Sequence, residues 1–180
     1  KKRVGVLMRV LGFDPGTIRM GYGVVNSGAR PEADDYGVVV LPKNMPLEHR
    51  LYQMYTHVMN MISVFQPDAI AVEEPFVGKG DRRFAGSALA VGQAQALVFI
   101  GAAGSAIPLF RYSPAKIKSS VADYGAATKQ QIQQSVTVTL SLEEPPEPDA
   151  ADALSVCLCH LIQCQADGVL GREILPGAER

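Results

Sequence analysis

The stretch GFDPGTIRMGYGVV, Gly12 to Val25, decides how this chain begins to fold. The run leading into it, Met8 to Phe13, is short and mostly apolar, and it stops at Asp14-Pro15-Gly16. That pattern predicts a strand running into a tight turn. Gly21 to Val25 resumes the strand pattern, and Tyr36 to Leu41 repeats it after the polar, proline-containing stretch Asn26 to Asp35. Short connections join strands that pair with each other, so these three are expected to form an antiparallel meander. Asp14 then stands at the C-terminal end of the first strand.

Outward from this block the pattern changes period. Pro46 opens a segment in which Leu47, Leu51, Met54, Val58, Met61, Ile62 and Phe65 recur at helical spacing, and Pro67 ends it. Asp68 to Glu73 (DAIAVE) predicts a buried strand, followed by a helix from about Arg83 to Ala103. Gly86, Ala90, Ala94 and Val98 on that helix are small enough for another backbone to pack closely. Ile107 to Phe110 reads as a fifth strand. Ser113-Pro114 is a helix start, with a capping side chain followed by proline at the first helical position. A helix over Lys129 to Leu140 follows, and Asp149 opens a last one reaching Gln163. With no repeat and no long linker, the chain is expected to be one α/β domain. Its mixed five-stranded sheet, the first three strands antiparallel, is flanked by helices.

The 180 residues, 47% apolar and 19% charged, suffice for one full core and are too apolar to stay disordered. No apolar run approaches the roughly 20 residues that span a bilayer, so a cytoplasmic protein is expected. Lys1 to Leu7 reads as an extension or cloning scar ahead of a domain over 8–165, with 166–180 a flexible tail. Cys157, Cys159 and Cys164 lack the paired spacing of a zinc site and are expected to be buried small hydrophobes. The net charge of −1 hides an uneven distribution. Residues 1–76 balance to 0, residues 77–130 to +5 and residues 131–180 to −6. A basic middle beside an acidic end suits a phosphate-binding surface next to a cation-binding cluster, although solvated faces would give the same totals.

Four acids stand out. Asp14 and Glu73 close two strands, and Glu73 ends an apolar run where a carboxylate is costly to bury without a partner. Asp149 and Asp152 lie three apart at a helix start and so share a face. Carboxylates from separate elements, with no histidine or cysteine cage, match the oxygen preference of hard cations such as magnesium. Two such ions support phosphodiester hydrolysis. Each acid also has a structural account: Asp149 as a helix cap, Asp152 as a partner of the helix dipole, Asp14 as a turn residue. Jointly those accounts need four separate reasons, whereas a shared site needs one.

GFDPGTIRMGYGVV, AVEEPF (Ala71 to Phe76) and PDAADAL (Pro148 to Leu154), in this order and joined by the Gly92-Gln93-Ala94 helix, resemble the RuvC family of Holliday junction resolvases. The resemblance runs from Met8 to about Gln163. It implies an RNase H-like fold, a homodimer, and Mg²⁺- or Mn²⁺-dependent resolution of four-way junction DNA by paired symmetric nicks, with two ions per active site. It also implies a role in recombination and repair beside a branch-migration helicase complex of the RuvA and RuvB type, in the bacterial cytoplasm near the nucleoid.

The four catalytic, metal-binding acids of the family fall on Asp14, Glu73, Asp149 and Asp152, with Glu74 on the other strand face. Phe76 matches an aromatic that works against bases at the junction centre. Lys118 and Lys129 align with lysines near the scissile phosphate. Lys79, Arg82, Arg83 and Lys116 are added as DNA contacts from charge alone. Three other readings stand beside this one. A sugar-kinase or actin-type ATPase shares the Asp-x-Gly-Thr turn, but 180 residues leave no room for its second phosphate-binding domain. A non-catalytic junction scaffold would have lost an acid. A nuclease of the same fold with another substrate is opposed by the PDAADAL block and the Phe76 loop.

Overall fold

The computed structural model describes residues 7–74, 85–122 and 127–168. The meander is present as β1 (Arg9–Asp14), β2 (Arg19–Asn26) and β3 (Glu32–Val40). Helix α1 (Leu47–Phe65) leads to β4 (Ala69–Glu73), and α2 (Ala85–Gly104) leads to β5 (Leu109–Tyr112). Helices α3 (Pro114–Ala122), α4 (Lys129–Thr139) and α5 (Pro148–Ala166) follow among the described residues. The sheet order is β3-β2-β1-β4-β5, with β1, β2 and β3 antiparallel and β4 and β5 parallel to β1 and β4 respectively. Among the described residues, no helix is long and apolar enough to cross a membrane.

β1 lies at the centre of the sheet, covered on both faces, which explains why its sequence is apolar rather than alternating. Leu11 and Phe13 join Met54, Val58, Ile70, Val72, Ala94 and Val98 in the core under α1 and α2. Val10 joins Ala71, Ile132, Val136, Leu154 and Leu158 in the core under α3, α4 and α5. The small residues of α2 serve α1. Ala94 and Val98 are fully buried, and a methyl on Gly101 would stand 3.0 Å from Val58 Cγ1. The three cysteines are buried and unpaired by disulfide, as their spacing predicts.

Two edge strands depart from the expected bounds. β3 begins at Glu32 rather than Tyr36. An edge strand with a solvated side accepts Glu32, Asp34 and Asp35, and a register shift opposite Val24 and Val25 absorbs the irregular pattern. β5 lies two residues later than expected because Pro108 has no N–H to give a ladder, although its carbonyl still accepts from Ile70 N at 2.9 Å.

The glycines of the opening block acquire a reason. Gly12 pairs with Gly23 and Asp14 with Gly21, so this row shares one face of the β1–β2 ribbon. A methyl on Gly12 would strike the Ala153 carbonyl and Cys157 Sγ, and one on Gly21 would strike the Asp149 carbonyl. On Gly23 it would sit 2.7 Å from Leu154 Cδ2. Helix α5 therefore rests its backbone directly on the sheet. Gly21→Ala and Gly12→Ala are each expected to lower the free energy of unfolding by about 1–3 kcal/mol, measured by urea denaturation. Variants as stable as the parent would show that this seat is not tight.

Candidate active site

Three elements deliver the four acids to one end of the sheet. Asp14 closes β1 and Glu73 closes β4, one step beyond the last registered pair of those parallel strands, Phe13 with Val72. Alternation from Val10 and Ala71 puts both carboxylates on the face covered by α5. Glu73 is further fixed through its carbonyl, which accepts from the side chain of buried Gln95 at 3.0 Å. Helix α5, seated on the glycine row, brings Asp149 and Asp152 in from above.

Asp14, Glu73 and Asp152 line a cleft of about 620 Å³ together with Lys118 and Lys129. Asp149 stands at its margin, outside the lining residues, but near enough for its charge to act on Asp14. Helix α5 opens at Pro148, with Glu147 in the cap position and making no side-chain cap bond. Asp149 is therefore not the helix cap; its Oδ2 accepts from Arg19 Nε at 2.6 Å, while Arg19 Nη2 donates to Glu147 at 2.8 Å. Asp152 Oδ2 accepts from Lys129 Nζ at 3.3 Å. Strand alternation puts Glu74 on the opposite face, but β4 ends at Glu73 and the alternation lapses. Glu74 borders the same cleft, with its Oε1 3.9 Å from Arg111 Nε.

Burial, then the charges of Asp152, Glu73 and Asp149, push the Asp14 carboxyl up to about 7, and Lys129 works against them. Glu73 is raised by burial and by Asp152, with Lys129 and Lys118 opposing. Asp152 in turn raises the Lys129 ammonium. Among the described residues, no three His, Cys, Asp or Glu side chains close around one point as a finished metal cage. The acids lie close enough to perturb one another and leave room between them. That suits an ion that keeps waters and takes phosphate oxygens as ligands.

Of the predicted basic residues, Lys118 and Lys129 reach the cleft. Lys116 is exposed on the first turn of α3, where its charge acts on Cys159 rather than on the acids. Phe76, Lys79, Arg82 and Arg83 lie outside the described residues. Sequence reading missed Arg19 and Gln95. Arg19 is visible in hindsight as the next same-face position before Gly21 and Gly23, and Gln95 as one of two glutamines, with Gln93, in the mostly apolar run GQAQALVF.

Two other polar features belong to the scaffold. A hollow of about 680 Å³ at the far end of β1 is lined by Arg9, Asn26, Arg30 and Asp68, and Arg9 is held there by Asn26, the Phe65 carbonyl and Asp34. His160, buried under Phe110 and joined to the Tyr112 hydroxyl at 2.7 Å, is pushed down to about 4 by burial and stays neutral.

The Asp14 shift has a stability consequence in the metal-free protein. The group loses its proton near 3.8 when exposed and near 7 when folded, so the native state binds more protons between those values. Stability therefore falls as pH rises from about 4 to about 7. Asp14→Asn removes that loss and is expected to be more stable than the parent above pH 7, by no more than about 4 kcal/mol. Urea denaturation in EDTA from pH 5 to 8 measures the gap, and a gap that does not widen with pH would contradict the assignment.

Comparison with known proteins gives the relatives of this chain. The family model for the crossover junction endodeoxyribonuclease RuvC matches residues 10–160. A RuvC of Dehalococcoides mccartyi is 46% identical over 156 residues, covering 85% of this chain and 90% of that protein. Thermus thermophilus RuvC, solved in complex with Holliday junction substrate, superposes with a TM-score of 0.81 at 31% identity, covering 89% of this chain and 96% of that one. The yeast mitochondrial Holliday junction resolvase Ydc2 shares the fold alone, at a TM-score of 0.63 and 15% identity. With its RNase H-like mixed sheet and a family match spanning nearly the whole described domain, this chain belongs to the RuvC family of crossover junction endodeoxyribonucleases.

Proposed function

We propose that this protein is a structure-specific endonuclease that resolves four-way DNA junctions by paired symmetric nicks, with Asp14, Glu73, Asp149 and Asp152 as its metal-binding catalytic acids. The observation that carries this reading is the meeting of acids from β1, β4 and α5 around one lysine-flanked cleft in a chain of this family. The domain doing this work spans 8–165.

The donor set is all carboxylate, and when no cation is present burial first, and then the neighbouring acids, push Asp14 up to about 7. Such a set fits two Mg²⁺ or Mn²⁺ ions. When bound, they supply activation of a water and stabilisation of the leaving 3′ oxygen. The chain's own part is to hold the acids on three rigid elements and to meet the phosphate with Lys118 and Lys129. Lys129 is suited to this because it already balances Asp152 within the cleft. Phe76 stacks on unpaired bases at the junction centre, a sequence-tolerant grip, and Lys79, Arg82, Arg83 and Lys116 extend the phosphate contacts.

Cutting two strands calls for two centres, and a two-fold homodimer presents them to a near-symmetric junction. Helix α2 supports the pairing: it is apolar on nearly all sides, yet Leu89 and Ile100 are 65% and 57% exposed. A RuvA–RuvB-type helicase complex is the partner that would deliver the junction in the bacterial cytoplasm.

A synthetic immobile four-way junction with Mg²⁺, beside matched duplex and single strands, tests the proposal. Paired nicks are expected on the junction only, and EDTA should abolish them. Asp14→Asn should bind the junction and not cut it, and Lys129→Met should cut about 100-fold more slowly with binding little changed. Affinity should fall steeply with salt as phosphate contacts release counterions. Equal cutting of duplex, or an active Asp14→Asn variant, would overturn the reading.

A further inference from the structure

The two acids of α5 are gripped differently. Lys129, which grips Asp152, stands in the cleft and also feels Asp14 and Asp149. Arg19 stands outside the cleft lining and, among the described residues, engages Glu147 and Asp149 at the start of α5. Its guanidinium divides between two residues, Nε donating to Asp149 Oδ2 at 2.6 Å and Nη2 to Glu147 Oε2 at 2.8 Å. We propose that Arg19 is a positioning residue that fixes the Asp149 carboxylate from outside the cleft and thereby sets the affinity of the acid cluster for divalent cations. This rests on the reading of the four acids as a metal site.

Arg19 reaches that point because of strand register. It opens β2 two residues before Gly21, on the same face, and Gly21 lies directly beneath the Asp149 carbonyl. A side chain one alternation further along the row emerges beside the first turn of α5. Glu147 in the cap position makes no side-chain cap bond, so its carboxylate is available to the same guanidinium. The planar guanidinium supplies two donors in a fixed fork, so one residue can hold two carboxylates at a set angle; an ammonium is a point charge without that geometry.

Holding Oδ2 leaves Oδ1 of Asp149, which makes no hydrogen bond among the described residues, for the cation. Hydrogen bonds of this kind orient ligating carboxylates, and losing them weakens metal binding by roughly 10–100-fold. The pair is solvent-exposed, with side-chain exposures of 45% for Arg19 and 28% for Asp149. Exposed pairs contribute little to folding stability, so orientation and stability are separable by experiment.

The test uses Mn²⁺ alone, titrated into the DNA-free full chain, with free Mn²⁺ followed by electron paramagnetic resonance. Arg19→Gln is expected to weaken Mn²⁺ binding about tenfold, with its thermal midpoint in EDTA close to the parent's. Arg19→Lys should recover part of the loss. On an Asp149→Asn background, Arg19→Gln should cause no further loss. Binding by Arg19→Gln as tight as the parent's, an equal loss on the Asp149→Asn background, or a large drop in the EDTA midpoint would each overturn the proposal. A parent chain that takes up no Mn²⁺ would instead overturn the metal-site reading beneath it.

Discussion

Helix α5 lies with its backbone against the β1–β2 ribbon because Gly12, Gly21 and Gly23 leave no side chain in the way. Most of the architecture follows from this close approach. The helix is buried on almost every side over Ala150 to Leu161, and residues such as Ala153 and Cys157 suit it to a seat that a bulkier surface would lift away. The same contact decides where the acids fall. The Asp149 carbonyl sits over Gly21, and Asp14 is paired with Gly21 across the ribbon, so the helix start and the strand end meet at one place.

Bringing acids together in this way carries an electrostatic penalty, and the fold limits it locally. Burial and like charge drive Asp14 and Glu73 toward protonation, while Lys129 and Lys118 oppose the shift from α4 and α3. These lysines come from the basic middle of the chain and Asp152 from its acidic end. The charge asymmetry read from the sequence thus becomes a juxtaposition within one cleft. A net charge of −1 would on its own argue against a nucleic-acid enzyme. What matters is the sign of charge at the surface that meets phosphate, and a total cannot give that.

Much of the fold was legible beforehand because its signals are local. The apolar run of β1, the helical period of α1, the Ser113-Pro114 start of α3 and the strand ending at Glu73 all follow from neighbours within a few residues. Ser113 does accept from Lys116 N in the capping manner, at 3.3 Å. The errors fell at edges. β3 and β5 border solvent on one side, so their composition carries a weaker pattern and their limits are set by pairing partners. The candidate site was legible in part. Asp14 and Glu73 announced themselves as acids at strand ends, whereas Asp149 looked like a helix cap and Glu74 like a residue of the opposite face.

By itself, the sequence determined the identity and order of the elements, the carboxylates at their ends, and, through three motif blocks, the family to which the chain belongs. Periodicity, turn chemistry and motif spacing are properties of the covalent chain, and they survive without knowledge of the fold. Tertiary structure alone decided that a glycine row is a helix seat, that Glu74 borders the same cleft as the acids, and that Arg19 holds Asp149 across 130 positions of sequence. Those relations depend on which surfaces the folded chain presses together, and no local pattern encodes a distance between residues so far apart.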